Sequence, residues 1–178
     1  MMAKNVFIMT FEEDSKAYQA FAELKHLHAT GGMKGEQMGI LLNDADAGLQ
    51  LKDFIDFTGA DKSMKGSLIG LVVGIIGGPL GMLLGWIGGS FIGATGDARE
   101  VKTAISSFEQ TVSLVSTGKT GLMLIARPED KENIERIVYD ELGGQVARMD
   151  ADYVLEEVKK AQQAERELAK EAYRQMKK

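Results

Sequence analysis

A chain of 178 residues carrying a net charge of −5 holds one domain, or one domain with an insertion, and offers no basic footprint for nucleic acid. It has no cysteine, which excludes disulfides and thiolate metal sites. Its first residues, MMAKNVFIMTFEEDS, meet an acidic cluster after a short apolar run, so no secretory signal is read there and a cytoplasmic home is expected.

Residues 5–11 (NVFIMTF) are apolar and β-rich and predict a buried strand. Thr10-Phe11-Glu12-Glu13 has capping-box spacing, with Asp14 or Ser15 as alternative caps, so a helix is expected to begin there. Its apolar stripe is Ala17, Phe21, Leu24 and His28, with Ala20 and Leu27 beside them, and Gly31-Gly32 should cap its C-terminus. Residues 37–42 and 49–57 read as two strands joined by a hairpin loop over 43–48. Imperfect alternation at Leu49, Leu51, Phe54 and Ile55 predicts a bulge or an edge strand.

The stretch 66–96, GSLIGLVVGIIGGPLGMLLGWIGGSFIGATG, contains no charge. Eleven of its 31 residues are glycine, many at a spacing of four: Gly66, Gly70, Gly74 and Gly78, then Gly77, Gly81, Gly85, Gly89 and Gly93. On a helix that spacing draws a groove of bare backbone along which another helix can approach. Pro79 breaks the run, since it removes a hydrogen bond and pushes Gly78 away from α geometry. Gly77-Gly78-Pro79 then reads as a hinge between halves 66–77 and 80–94. Each half is about 18–22 Å long against a hydrocarbon core of roughly 30 Å. A tight helical hairpin is therefore expected.

Residues 98–115 predict a helix on Val101, Ile105, Phe108 and Val112, and residues 120–126 (TGLMLIA) another apolar strand. Residues 129–142 form a second amphipathic helix on Ile134, Ile137, Val138 and Leu142; Gly143-Gly144 closes it, and 145–149 is a short last strand. Read without the glycine insert, the first six elements give βαββαβ, a ferredoxin-like pattern within an α+β class, followed by an extra αβ unit. Such a sheet sets 120–126 beside 5–11. A single membrane crossing between them would leave the two strands on opposite sides, so the insert must leave and return on one side. The expected divisions are 1–58 and 97–150 for the two halves of the α/β domain, 59–96 for the hairpin, and 151–178 for a charged terminal helix.

That last helix is rich in Ala, Glu, Lys, Gln and Arg. Val154, Val158, Ala161, Leu168 and Ala172 follow 4-3 spacing interrupted by Glu165, and Glu156 to Lys160 is a favourable four-residue pair.

Chemical motifs mostly fail on their own terms. Gly118-Lys119-Thr120 resembles the end of a phosphate-binding loop, but Ser113 stands where glycine is needed and the strand and helix come in reversed order. Asp44 and Asp46 suggest a calcium loop, yet Ile55 holds the position of its bidentate glutamate. His26 and His28 point to nearly opposite faces of one helix and cannot easily share a metal. Glu12, Glu13 and Asp14 suit a helix's first turn. No nucleophile–base–acid set is assembled from adjacent residues, so neither an enzyme nor a cofactor is expected.

An apolar strand running into Phe11-Glu12-Glu13-Asp14 and a helix, a β-hairpin, a glycine-rich insert broken at a proline, Gly121-Leu122-Met123-Leu124-Ile125-Ala126, and a closing Gly-Gly-x-Val-x-Arg (Gly143, Gly144, Val146, Arg148) together form a recognisable series. It resembles the bacterial family of predicted membrane proteins designated domain of unknown function twelve-sixty-nine, over about residues 4–150. The resemblance implies a bacterial origin and supports the fold, its membrane label rests largely on the same apolar segment, and it supplies no catalytic residues. Three functional expectations follow. The hairpin enters or lies in the cytoplasmic leaflet, flanked by Lys62, Lys65, Arg99 and Lys102 among Asp61, Asp97 and Glu100. Alternatively, hairpins of several copies pack together as the core of a soluble homo-oligomer, since so large an apolar surface does not stay monomeric in water. In the third reading, a small-molecule-binding α/β domain carries the hairpin as a buried insert.

Overall fold

The computed structural model describes residues 3–59, 67–76, 115 and 118–177. Five strands, β1 (Asn5–Thr10), β2 (Gly35–Asp44), β3 (Gly48–Asp56), β4 (Thr120–Ala126) and β5 (Gln145–Asp150), form one antiparallel sheet in the order β3-β2-β4-β1-β5. The helices among the described residues are α1 (Asp14–Ala29), α2 (Leu68–Ile76), α3 (Lys131–Glu135) and α4 (Ala151–Met176). A 3-10 turn, Pro128–Asp130, precedes α3, which runs on as a π-helix over Arg136–Glu141. The class is mixed α+β.

β1 and β4 are the apolar runs without alternation, and they are interior strands because both of their faces are covered. Phe7, Met9, Leu122 and Leu124 pack against Ala17, Ala20 and Leu24 of α1 and Ile134 of α3. Val6, Ile8, Met123 and Ile125 face the other way, toward Ile69 and Val72 of α2 and Val154, Val158 and Ala161 of α4. The sheet thus lies between two helical layers.

The pairing expected between the first strand and 120–126 is present, with Phe7 opposite Leu124 and Thr10 opposite Gly121. β4 also pairs with β2, Ile40 opposite Leu122. This differs from a βαββαβ unit built on the first six elements, which would set the third strand between the first two. Here β4 takes that place and β3 lies outside β2. The αβ unit expected as an addition instead supplies β5, on the other side of β1, with Ile8 opposite Ala147. Lys52 and Asp53, both exposed, explain why β3 takes the edge, where charged side chains reach water. The expected bulge is there too: the register steps from Ile40 opposite Asp53 to Leu41 opposite Leu51, leaving Lys52 unopposed.

The capping box expected at α1 does not form. Thr10 stays in the β1 ladder, opposite Gly121 and Gln145, and the helix starts behind Glu13 without a side-chain cap. Its other end closes as the glycine pair predicts. Gly31 takes φ 80°, its N–H donates to the His28 carbonyl at 3.1 Å, and that of Gly32 donates to Leu27 at 2.9 Å. α4 is capped by Asp150, whose Oδ1 accepts from the N–H groups of Asp152 at 2.9 Å and Tyr153 at 3.1 Å. Val154, Val158 and Ala161 are buried, Leu168 is partly covered, and residues 171–177 are all exposed. Lys160 pairs at 3.3 Å with the buried Glu157 rather than with Glu156. Of the helix expected over 98–115, only Val115 belongs to the described residues, and it is buried.

Candidate helix-packing surface

Ser67 sets the start of α2. Its Oγ accepts from the Gly70 N–H at 2.9 Å and its carbonyl accepts from Leu71 at 2.9 Å. The helix itself, LIGLVVGII, carries no charge. At 100° per residue, Ile69 and Val72 share one side while Gly70 and Gly74 lie about 150° away from it.

The branched side is the buried one. Ile69 is 0% and Val72 2% exposed, in one cluster with Leu41, Leu49, Val158 and Ala161. The sheet makes room for them at Gly39 of β2, where a Cβ would fall 2.6 Å from Leu51 Cδ1 and 3.4 Å from Ile69 Cγ2. Gly74 is exposed, and a Cβ built on it meets nothing within 4 Å. Gly70, half-buried, lies on the same side. Isoleucine and valine therefore hold the helix to the sheet, and Gly74 looks outward. Of the nine glycines read as packing residues, these two are described. Gly66, Gly77, Gly78, Gly81, Gly85, Gly89 and Gly93, and the hinge residue Pro79, lie outside the described residues. No helix among the described residues is long and apolar enough to cross a membrane.

The other sequence candidates have structural partners. Gly118-Lys119-Thr120 forms a turn into β4: Lys119 Nζ donates to the Glu12 carbonyl at 3.3 Å, and the Thr120 N–H donates to Asp14 Oδ1 at 3.0 Å. Asp44 Oδ1 accepts from the N–H groups of Asp46 and Ala47, both at 2.8 Å, closing the hairpin loop. Those bonds, Ala47 first and then Asp46, hold its carboxyl below the usual aspartate value. His28 Nδ1 accepts from the Gly35 N–H at 3.2 Å and its ring stacks on Phe57 with centroids 4.2 Å apart, while His26 is exposed. Among the described residues, no group of three or more His, Asp or Glu side chains could hold a metal ion.

A buried polar clamp went unread in the sequence. Asp130, 4% exposed, accepts from Arg127 Nη2 at 3.1 Å and from the Lys34 N–H at 3.1 Å, and the bond that Arg127 donates to it raises the Arg127 pKa. Open grooves of about 350 Å³, between α1 and the π-helix, and about 320 Å³, at the Thr10 end of the sheet, have charged rims. In the first of these Arg136 is already paired with Glu141 at 3.0 Å.

Two features had signals that could have been found. Ser67 directly precedes an uncharged helical run, the position of an N-cap. Lys159, Arg166, Lys170, Arg174 and Lys177 recur at intervals of 7, 4, 4 and 3, which gathers them on one side of α4. Comparison of the chain with models of protein families, with curated proteins and with solved structures gives no match.

Proposed function

We propose that this is a non-enzymatic, membrane-associated protein whose glycine segment enters or lies in the cytoplasmic leaflet and joins copies of the chain by helix-to-helix contact. In this reading β1, α1, β2, β4, α3 and β5 make a ferredoxin-like unit, and β3 with the glycine segment is its insertion between β2 and β4. The resemblance to the predicted-membrane-protein family belongs to the same reading.

The observation that carries it is the division of α2, with Ile69 and Val72 turned onto the sheet and Gly74 turned away with open space beside it. Glycines that served the domain's own packing would face inward, as Gly39 does. An outward Gly74, in a segment whose glycines recur at a spacing of four, suits a second helix at close range. The topology adds a constraint: the segment leaves from β3 and returns at β4, both strands of one sheet. Strands of one sheet cannot lie on two sides of a bilayer, so in this reading the segment departs and returns on a single side.

Carbonate washing of a membrane fraction tests the membrane part. The expected result is protein retained in the pellet; protein found wholly in the soluble fraction ends that reading. The burial of Ile69 and Val72 against the chain's own sheet favours a second reading, an assembly in water through the same glycines. A defined multimer in detergent-free buffer, with no pelleted protein, would select it.

A further inference from the structure

We propose that a basic sector of α4, on the outward side of the α2–α4 layer, binds anionic lipid headgroups. This rests on the membrane reading above and names the surface chemistry it needs.

α4 buries Val154, Val158 and Ala161. On a helix of 100° per residue, Lys159, Arg166, Lys170, Arg174 and Lys177 fall within about 80° of one another, roughly 150° from that buried side. All five are exposed. Gln163 lies within the same sector and Tyr173, 56% exposed, at its border. The acidic residues of this stretch sit elsewhere around the helix: Glu165 and Glu171 lie well outside the sector, and Glu167 borders it, paired with Lys170 at 3.1 Å. Nearer the start of the helix, Asp152 and Glu156 occupy the same angular range, so the positive charge begins at Lys159. From there to Lys177 the stripe runs about 27 Å.

Its setting indicates the partner. α2 and α4 cover the same face of the sheet, through one shared cluster. The side of each that faces away from the sheet is therefore turned the same way: bare glycine backbone on α2, cations and a tyrosine on α4. An uncharged helix face beside a basic one matches the layered chemistry of a membrane surface, with hydrocarbon below and phosphates above, and tyrosine is at home at that boundary. The chain as a whole is acidic, at −5, so this concentration of positive charge also orients the molecule toward an anionic surface.

The test is flotation of the full chain with vesicles of pure phosphatidylcholine and of an equimolar mixture with phosphatidylglycerol, at physiological salt. The wild-type protein should bind the anionic vesicles about tenfold more tightly or better, and each cation removed should weaken that binding about fivefold. The variant R166Q/K170Q/R174Q/K177Q should lose the preference while keeping wild-type helix content and melting temperature. Equal wild-type affinity for the two vesicles, or undiminished anionic binding by the folded variant, overturns the headgroup inference and leaves the membrane reading standing. Binding to neither vesicle overturns both. Preference for a single-stranded RNA oligonucleotide over anionic vesicles in competition overturns the assignment in favour of nucleic acid.

Discussion

The carboxylate of Asp14 accepts a hydrogen bond from the backbone N–H of Thr120 at 3.0 Å, joining residues 106 positions apart. Asp14 opens α1, and Thr120 opens the strand that follows the glycine segment. An acid in a first helical turn ordinarily serves the helix dipole; this one also fixes where the chain re-enters the sheet. Asp14→Ala should lower stability by about 1–2 kcal/mol in urea denaturation, with the slope unchanged. An unaltered midpoint would mean that the bond contributes nothing net.

Gly39 and Ile69 make the second prediction. Gly39→Ala forces Leu51 aside and presses on Ile69, at an expected cost of about 1–3 kcal/mol. Ile69→Ala, which empties a fully buried site, should cost about 2–5 kcal/mol. A helix the length of α2 is not stable alone, so amide exchange in residues 68–76 should accelerate in both variants before exchange in β1 does. Unchanged exchange there in Ile69→Ala would show that this side chain does not hold the helix.

Asp130 is the third. Its carboxylate serves Arg127 and the Lys34 N–H from a buried position, so Asp130→Ala leaves a guanidinium and a backbone donor without their partner. The expected loss is about 2–3 kcal/mol by chemical denaturation, and Asp130→Asn should lose less because it keeps one acceptor. Equal losses in the two variants would contradict the hydrogen-bond account.

Asp44 gives a pH dependence. Its folded-state pKa lies below the ordinary value of 3.8 because the loop N–H groups of Ala47 and Asp46 bond the charged form. Its contribution is therefore present above the unfolded value and is lost as pH falls through the folded one. Between about pH 5 and pH 2, the melting temperature of Asp44→Ala should fall less steeply than that of the wild type. Parallel profiles would refute the assignment.

The sequence carried the elements well and their neighbours less well. Both apolar strands, the hairpin, the Gly31-Gly32 cap and the bulge at the edge could be read from local pattern; of the stripe read on α4, Val154, Val158 and Ala161 are buried and Ala172 is exposed. Strand order could not, because the place between β1 and β2 suits β3 or β4 on local pattern alone, and tertiary burial decides. One clue was there: β4 has no polar alternation and β3 carries Lys52 and Asp53, which assigns them to the interior and the edge. The capping box failed because Thr10 is more useful in a ladder with β4 and β5 than at a helix end. The π-helix at Arg136–Glu141 had no sequence signature, since Ile134, Ile137, Val138 and Leu142 satisfy an α-helical stripe equally well. At the glycine surface, the period of four was legible, but which side of α2 faced the core was not. Ile69 and Val72 decided that by fitting over Gly39.

The most direct test is the native mass of the detergent-solubilised chain, wild type against Gly74→Leu. The leucine points away from the core into open space, so the domain should melt as before. The account predicts a defined multimer for the wild type and a smaller species for the variant. A wild-type monomer, or a variant of unchanged mass, would contradict it.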